Sequence, residues 1–135
     1  MSAARQHASP DWFTWFSPVR LAAFKGNTQL KAGHLPQAKE TLTAALNNAT
    51  SADDKQRTVI LGDLAAVEAA QHNPEAACAY AGQALDQLGI TWYATGMDRV
   101  LEVRKALQPH AEMPCVQRLD DRLYDWQATL STLQR

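Results

Sequence analysis

Cysteine is almost missing from this chain: Cys78 and Cys115 are the only two in 135 residues. Neither stands in a C-x-x-C or histidine-rich context, so the spacing offers no structural zinc site. Their separation leaves a mutual disulfide open, but nothing in the pattern calls for an oxidising compartment. Long apolar runs are also missing. None approaches the ~18 residues of a membrane span, and the opening MSAARQHASPDW lacks the apolar core of a signal peptide. A cytoplasmic chain with no membrane partner is expected. Charge of one sign is missing too, with 13 Lys and Arg against 14 Asp and Glu. Duplex binding draws on phosphate neutralisation by basic side chains, so no direct nucleic-acid partner is expected. There is no P-loop, no dinucleotide glycine pattern, no nucleophile elbow and no His-Glu zinc motif. No cofactor, metal or catalytic residue is therefore nominated.

What the chain does have is a phrase used twice. Gly33-His34-Leu35-Pro36-Gln37-Ala38 runs on through Leu42 to Ala45-Leu46. His72-Asn73-Pro74-Glu75-Ala76-Ala77 runs on through Ala81 to Ala84-Leu85. Ala38, Ala45 and Leu46 fall on Ala77, Ala84 and Leu85 at one offset of 39 residues. An internal repeat of this length points to stacked helical hairpins.

The local signals divide the chain into six helices. Ser17-Pro18 reads as an N-cap followed by a first-turn proline, opening a helix from Pro18 to Ala32. Gly33 supplies a left-handed turn, and a second helix covers 36–48. Ser51 and Asp54 stand close to capping-box spacing, ahead of a third helix over 52–71 with Ile60, Leu61, Leu64 and Val67 apolar. Asn73-Pro74-Glu75 reads as cap, first-turn proline and helix-start acid, with Gly89 closing the fourth helix. A fifth covers 93–107, ended by Pro109. The sixth runs from Pro114 to Leu133. Its Val116, Leu119, Leu123, Trp126, Leu130 and Leu133 form a narrow apolar seam, which either packs on helix five or serves self-association. The expectation is a disordered stretch over 1–10 and one domain over 11–135, all-α, with three antiparallel hairpins in a short solenoid.

The repeated phrase resembles the tetratricopeptide repeat. Gly26, Gly33, Leu35, Ala38, Leu42, Ala45 and Leu46 match its pattern in the first unit, and Ala65, Ala77, Ala84 and Leu85 in the second. His72 replaces the turn glycine, Ala81 replaces a large apolar residue, and Gln29 and Glu68 stand where the family places an aromatic. The 39-residue period exceeds the usual ~34. A second resemblance covers more of the chain. Pro10-Asp11-Trp12-Phe13-Thr14-Trp15-Phe16 with Leu21-Ala22-Ala23-Phe24-Lys25-Gly26, Asn73 to Cys78, and Asp98-Arg99-Val100 with Ala106-Leu107 resemble the C-terminal repeat region of actinobacterial XRE-type helix-turn-helix regulators. That resemblance implies the sensing or assembly half of a regulator, standing alone without its DNA-binding domain.

The tetratricopeptide resemblance also implies a concave partner surface lined by the first helix of each hairpin. Carried over, it includes Arg20, Asn27 and Lys31 from helix one and Asp63 and Ala66 from helix three. Arg20 and Lys31 suit an acidic peptide or carboxylate. Trp12 and Trp15 belong to an aromatic cluster read in two ways: rings folded back over helices one and three as a cap, or a partner or dimer site. The expected function is a non-catalytic interaction or ligand-sensing module, regulatory in role. Its partner is a protein, a peptide or a second copy, joined through helix six or the N-terminal aromatics. The competing reading is a small enzyme or small-molecule binder on the same scaffold. It requires a pocket with convergent polar groups, for which His72, Tyr80, Tyr93 and Glu68 are the residues to inspect.

Overall fold

The computed structural model describes residues 17–133. The expectations placed on residues 1–10, Trp12 and Trp15 lie outside the described residues. Among those described there are six α-helices, two short 3-10 helices and no strand. The helices are α1 (Pro18–Lys31), α2 (Leu35–Asn48), α3 (Asp54–Ala70), α4 (Pro74–Ile90), α5 (Ala94–Ala106) and α6 (Pro114–Leu133), with η1 (Ser51–Asp53) before α3 and η2 (Gln108–His110) after α5.

Several boundaries follow directly from local chemistry. Ser17 Oγ accepts the Arg20 N–H at 3.2 Å and so caps α1. Gly33 turns the chain at φ +82°, and His72 does the same at +65°. The two turn residues of the repeated phrase thus share one backbone conformation, although only glycine adopts it without steric cost.

Other boundaries correct the sequence reading. The capping box belongs to Thr50 and Asp53 rather than Ser51 and Asp54. Thr50 N–H donates to Asp53 Oδ2 at 3.0 Å, and Thr50 Oγ1 accepts the Ala52 N–H at 3.3 Å. Asn73 makes no side-chain cap; its amide instead donates to Glu68 Oε1 at 3.0 Å. Gly89 does not close α4, which continues to Ile90 and leaves through extended Thr91. Glycine permits a left-handed turn but does not force one. Pro109 lies inside η2, three residues past the last residue of α5, Ala106.

The packing order places α1 on α2 and α3 on α4, while α3 also meets α1, α2 and α5. α3 is the central element. Its residues from Thr58 through Ala65 are all buried, as expected for a helix covered on every side. Ile60, Leu64 and Val67 join Val19, Ala23, Ala38, Leu42 and Ala45 in one apolar cluster. Leu61 and Ala65 face a second, with Ala77, Ala81, Leu85, Val100, Val103, Leu107, Val116 and Leu119.

Small residues set the close approaches. A Cβ on Gly26 would lie 2.5 Å from Leu42 Cγ. One repeat period later the corresponding pair is Ala65 and Ala81, both fully buried. The second unit holds a larger residue where the first has glycine and a smaller one where the first has leucine. Between α3 and α5, a Cβ on Gly62 would lie 2.6 Å from Arg99 Cβ, and one on Gly96 would collide with Thr58. This contact brings α5 down on α3 and fixes where Arg99 sits.

The third pair departs from expectation. At backbone distance α6 lies against α4. α5 reaches α6 through side chains: the Arg104 guanidinium grips Asp120 with both arms, the second at 3.1 Å. Only the first turns of the apolar seam, Val116 and Leu119, are buried, and Leu133 is 74% exposed.

Candidate functional site

A groove of about 410 Å³ crosses α1, α3 and α5, lined by Arg20, Leu21, Ala23, Phe24, Asn27, Gln56, Val59, Tyr93, Thr95 and Arg99. Its α1 wall is apolar and open to solvent. Phe24 is 73% exposed and Leu21 is 51% exposed. An exposed aromatic beside an exposed leucine on one helix face is the kind of surface that marks an interface.

Beneath that wall lies a buried carboxylate. Asp63, 2% exposed, accepts a hydrogen bond from Asn27 Nδ2 at 3.1 Å, and Arg99 Nε approaches its other oxygen at 3.2 Å. The Arg99 Nε–H is not aimed at that oxygen, so the contact is ionic rather than a directed hydrogen bond. Burial pushes the Asp63 pKa up to about 6, against the opposing pull of Arg99, Asn27 and Lys31 and with a small upward push from Glu102. Desolvation thus outweighs a nearby cation. At the groove mouth Lys55 Nζ sits 5.7 Å from the Tyr93 ring centre.

Of the residues nominated from sequence, Arg20 and Asn27 line this groove and Asp63 lies directly under it. Lys31 is exposed at the last turn of α1 and acts on Asp63 through its charge. Arg99, Phe24, Leu21 and Val59 were missed as site residues. Phe24 and Leu21 carry a signal in hindsight, because they fall off the buried face defined by Val19, Ala23 and Gly26. Arg99 had none, since the third helical pair keeps no repeat signature to align it.

The residues of the competing reading divide between two places. Glu68 is buried and bonded to Lys39 at 2.9 Å and Asn73 at 3.0 Å. Burial raises its pKa, but those two partners outweigh it and hold the carboxyl below its ordinary value. Lys39 is correspondingly raised by its bond to Glu68, with Tyr80 nearby. His72 is exposed at the turn, and Tyr93 lines the groove already described. Cys78 and Cys115 are both free thiols on the wall between α4 and α6. Burial pushes the Cys78 thiol up to about 12, and the adjacent Cys115 adds to the shift. A thiol so raised is a poor nucleophile at neutral pH.

A second groove, about 630 Å³, separates α5 from the outer half of α6 and is lined by Met97, Leu101, Leu123, Tyr124, Trp126 and Leu130 among others. Trp126 packs on Trp92 with ring centres 5.3 Å apart. No helix among the described residues is long and apolar enough to cross a membrane.

These features define an all-helical protein carrying an open, mixed apolar and charged groove. Comparison with protein-family models, with curated proteins and with solved structures gave no match.

Proposed function

We propose that this chain is a non-catalytic, TPR-like interaction module whose α1–α3–α5 groove holds a polypeptide segment. The observation that carries this reading is the pairing of exposed Leu21 and Phe24 with the Asp63–Asn27–Arg99 network in one groove. Apolar side chains of the ligand cover the α1 wall, and the polar network sets register, as anchors and rim do in protein interfaces. The TPR-like reading draws support from the packing order, in which α1, α3 and α5 follow one another along one side. It draws more from the matched left-handed turns at Gly33 and His72. A regulatory, cytoplasmic role rests on the resemblance to the repeat region of XRE-type regulators.

The test is selection of peptides from a displayed library against the full chain, followed by titration of the binders. The expected result is a loss of at least tenfold in affinity with Phe24→Glu plus Arg99→Glu, at unchanged helical circular dichroism. Binders that titrate equally onto that variant would overturn the reading. Self-association through α6 would use the α5–α6 groove, and sedimentation velocity of Trp126→Glu against the parent chain tests it.

A further inference from the structure

We infer that Cys78 and Cys115 form a dithiol site that closes to a reversible disulfide by exchange with a low-molecular-weight disulfide, stapling the base of α6 to α4. This goes beyond the reading of the α1–α3–α5 groove and does not depend on it.

Position comes first. The chain has only these two cysteines, far apart in sequence, and the fold brings both to one place. They line a single hollow of about 360 Å³ between α4 and α6, together with Ala79, Gly82, Arg118 and Arg122. Both are free and half-buried, and both pack on the same apolar cluster. Cys115 acts on the Cys78 thiol through hydrogen bonding as well as through charge, so the two sulfurs are neighbours.

The surrounding contacts hold that register. α4 and α6 meet at backbone distance, as a bridge whose Cα atoms stand ~4.4–6.8 Å apart requires. Arg122, two turns after Cys115, donates to the Gly82 carbonyl at 3.1 Å and to Asp86 Oδ1 at 2.8 Å. Gly82 and Asp86 lie one and two turns after Cys78. The two helices therefore run in the same direction, with the thiol pair just below the Arg122 clamp. On its other side α6 is held by Arg104 at Asp120. Both clamps keep the first turns of α6 in place while the bridge closes.

The chemistry runs in two steps. Burial, together with Cys115, pushes the Cys78 thiol up, so Cys78 holds its proton and Cys115 reacts first. The Cys115 thiolate attacks one sulfur of the small disulfide, whose S–S bond breaks, and the leaving thiolate takes up a proton. Cys115 in the mixed disulfide carries no charge, so its share of the upward push on Cys78 is gone. Cys78 then gives its proton to solvent and attacks the Cys115 sulfur, displacing the second small thiol. Two protein thiols are oxidised to one disulfide, and the small disulfide is reduced to two thiols. The exposed Arg118 guanidinium on the wall of the hollow suits a reagent that bears carboxylates. Since α6 buries only Val116 and Leu119, a covalent tie at its base adds to a sparse attachment.

The test incubates the full chain with oxidised glutathione at pH 8 and reads the unreduced product by mass spectrometry. The expected result is loss of two hydrogens, a linked peptide pair holding Cys78 and Cys115, and return to the starting mass with dithiothreitol. The ratio of this link to glutathione adducts is expected to be at least about tenfold higher in the folded chain than in urea, because the folded sulfurs are held together. Cys78→Ser is expected to stop at a glutathione adduct on Cys115, and Cys115→Ser to stay largely unmodified. Cys78→Ala and Cys115→Ala repeat both comparisons without a half-buried hydroxyl. The linked chain is expected to melt at least ~5 °C above the reduced one, since the bridge constrains the unfolded chain. Four results overturn the inference: adducts on both cysteines with no internal link, a link between two chains, a link no more favoured than in urea, or a linked chain that melts below the reduced one. An adduct that gathers on Cys78 of the Cys115→Ser chain as fast as on Cys115 of the Cys78→Ser chain overturns the order of attack. A link formed by hydrogen peroxide but not by oxidised glutathione overturns the assigned oxidant.

Discussion

Above pH 6 the Asp63 carboxylate is ionised although almost no solvent reaches it. Its folded pKa, about 6, stands above the ordinary 3.8. Between those values the folded chain holds a proton that the unfolded chain has released. Lowering the pH through that window therefore stabilises the fold through this group, and raising it removes that stabilisation. Asp63→Asn mimics the protonated form. It is expected to raise stability at pH 7.5 by about 3 kcal/mol, from about two pKa units at 1.36 kcal/mol each. The gain should fade as the pH drops toward 4. Urea melts of both chains across that range check the difference, in which the opposite trend from the depressed Glu68 cancels.

The same scale holds a cleaner backbone experiment. His72 sits at φ +65° and Gly33 at +82°. His72→Gly relieves a left-handed residue and is expected to stabilise by about 1 kcal/mol, whereas Gly33→Ala destabilises by a similar amount. No atom lies within 4 Å of a Cβ at Gly33, so the second change tests conformation without a clash. Thermal melts read both. At Cys78 the raised thiol predicts slow alkylation by iodoacetamide at pH 8 in the folded chain, with reaction restored in urea and peptide mass spectrometry as the readout.

Between elements, the Gly26–Leu42 contact shows how two helices settle their spacing. Gly26→Ala drives a methyl into Leu42 and is expected to cost about 1–3 kcal/mol. Leu42→Ala alone leaves a cavity and costs about 2–4 kcal/mol. The double variant recreates the Ala65 and Ala81 pair of the second unit, so its cost should fall below the sum by at least about 1 kcal/mol. Additive costs in a denaturation cycle would refute the structural equivalence of the two units. The alignment behind this expectation comes from residues alone, since the repeated phrase sets Gly26 on Ala65 and Leu42 on Ala81. The capping box was misplaced by one residue because Thr50, Ser51, Asp53 and Asp54 all have capping chemistry, and only backbone geometry chooses among them.

Across the whole molecule, α3 touches α1, α2, α4 and α5, while the outer half of α6 leans on little. Hydrogen exchange should rank them accordingly. The α3 amides should exchange only by global unfolding, and those of α6 beyond Leu123 should exchange first. Equal protection along α6 would mean that its seam is covered in solution by a second copy. The six helices, the left-handed turns and most of the buried face were set by the chain itself, because periodicity, caps and turn residues act within a few residues of one another. What the tertiary structure decided is the groove. Arg99 reaches Asp63 only because Gly62 and Gly96 let α5 approach α3, and the backbone of α6 settles against α4. Those choices depend on the fit between surfaces far apart in sequence. No local signal carries that fit, and in the third helical pair there was no repeat left to transmit it.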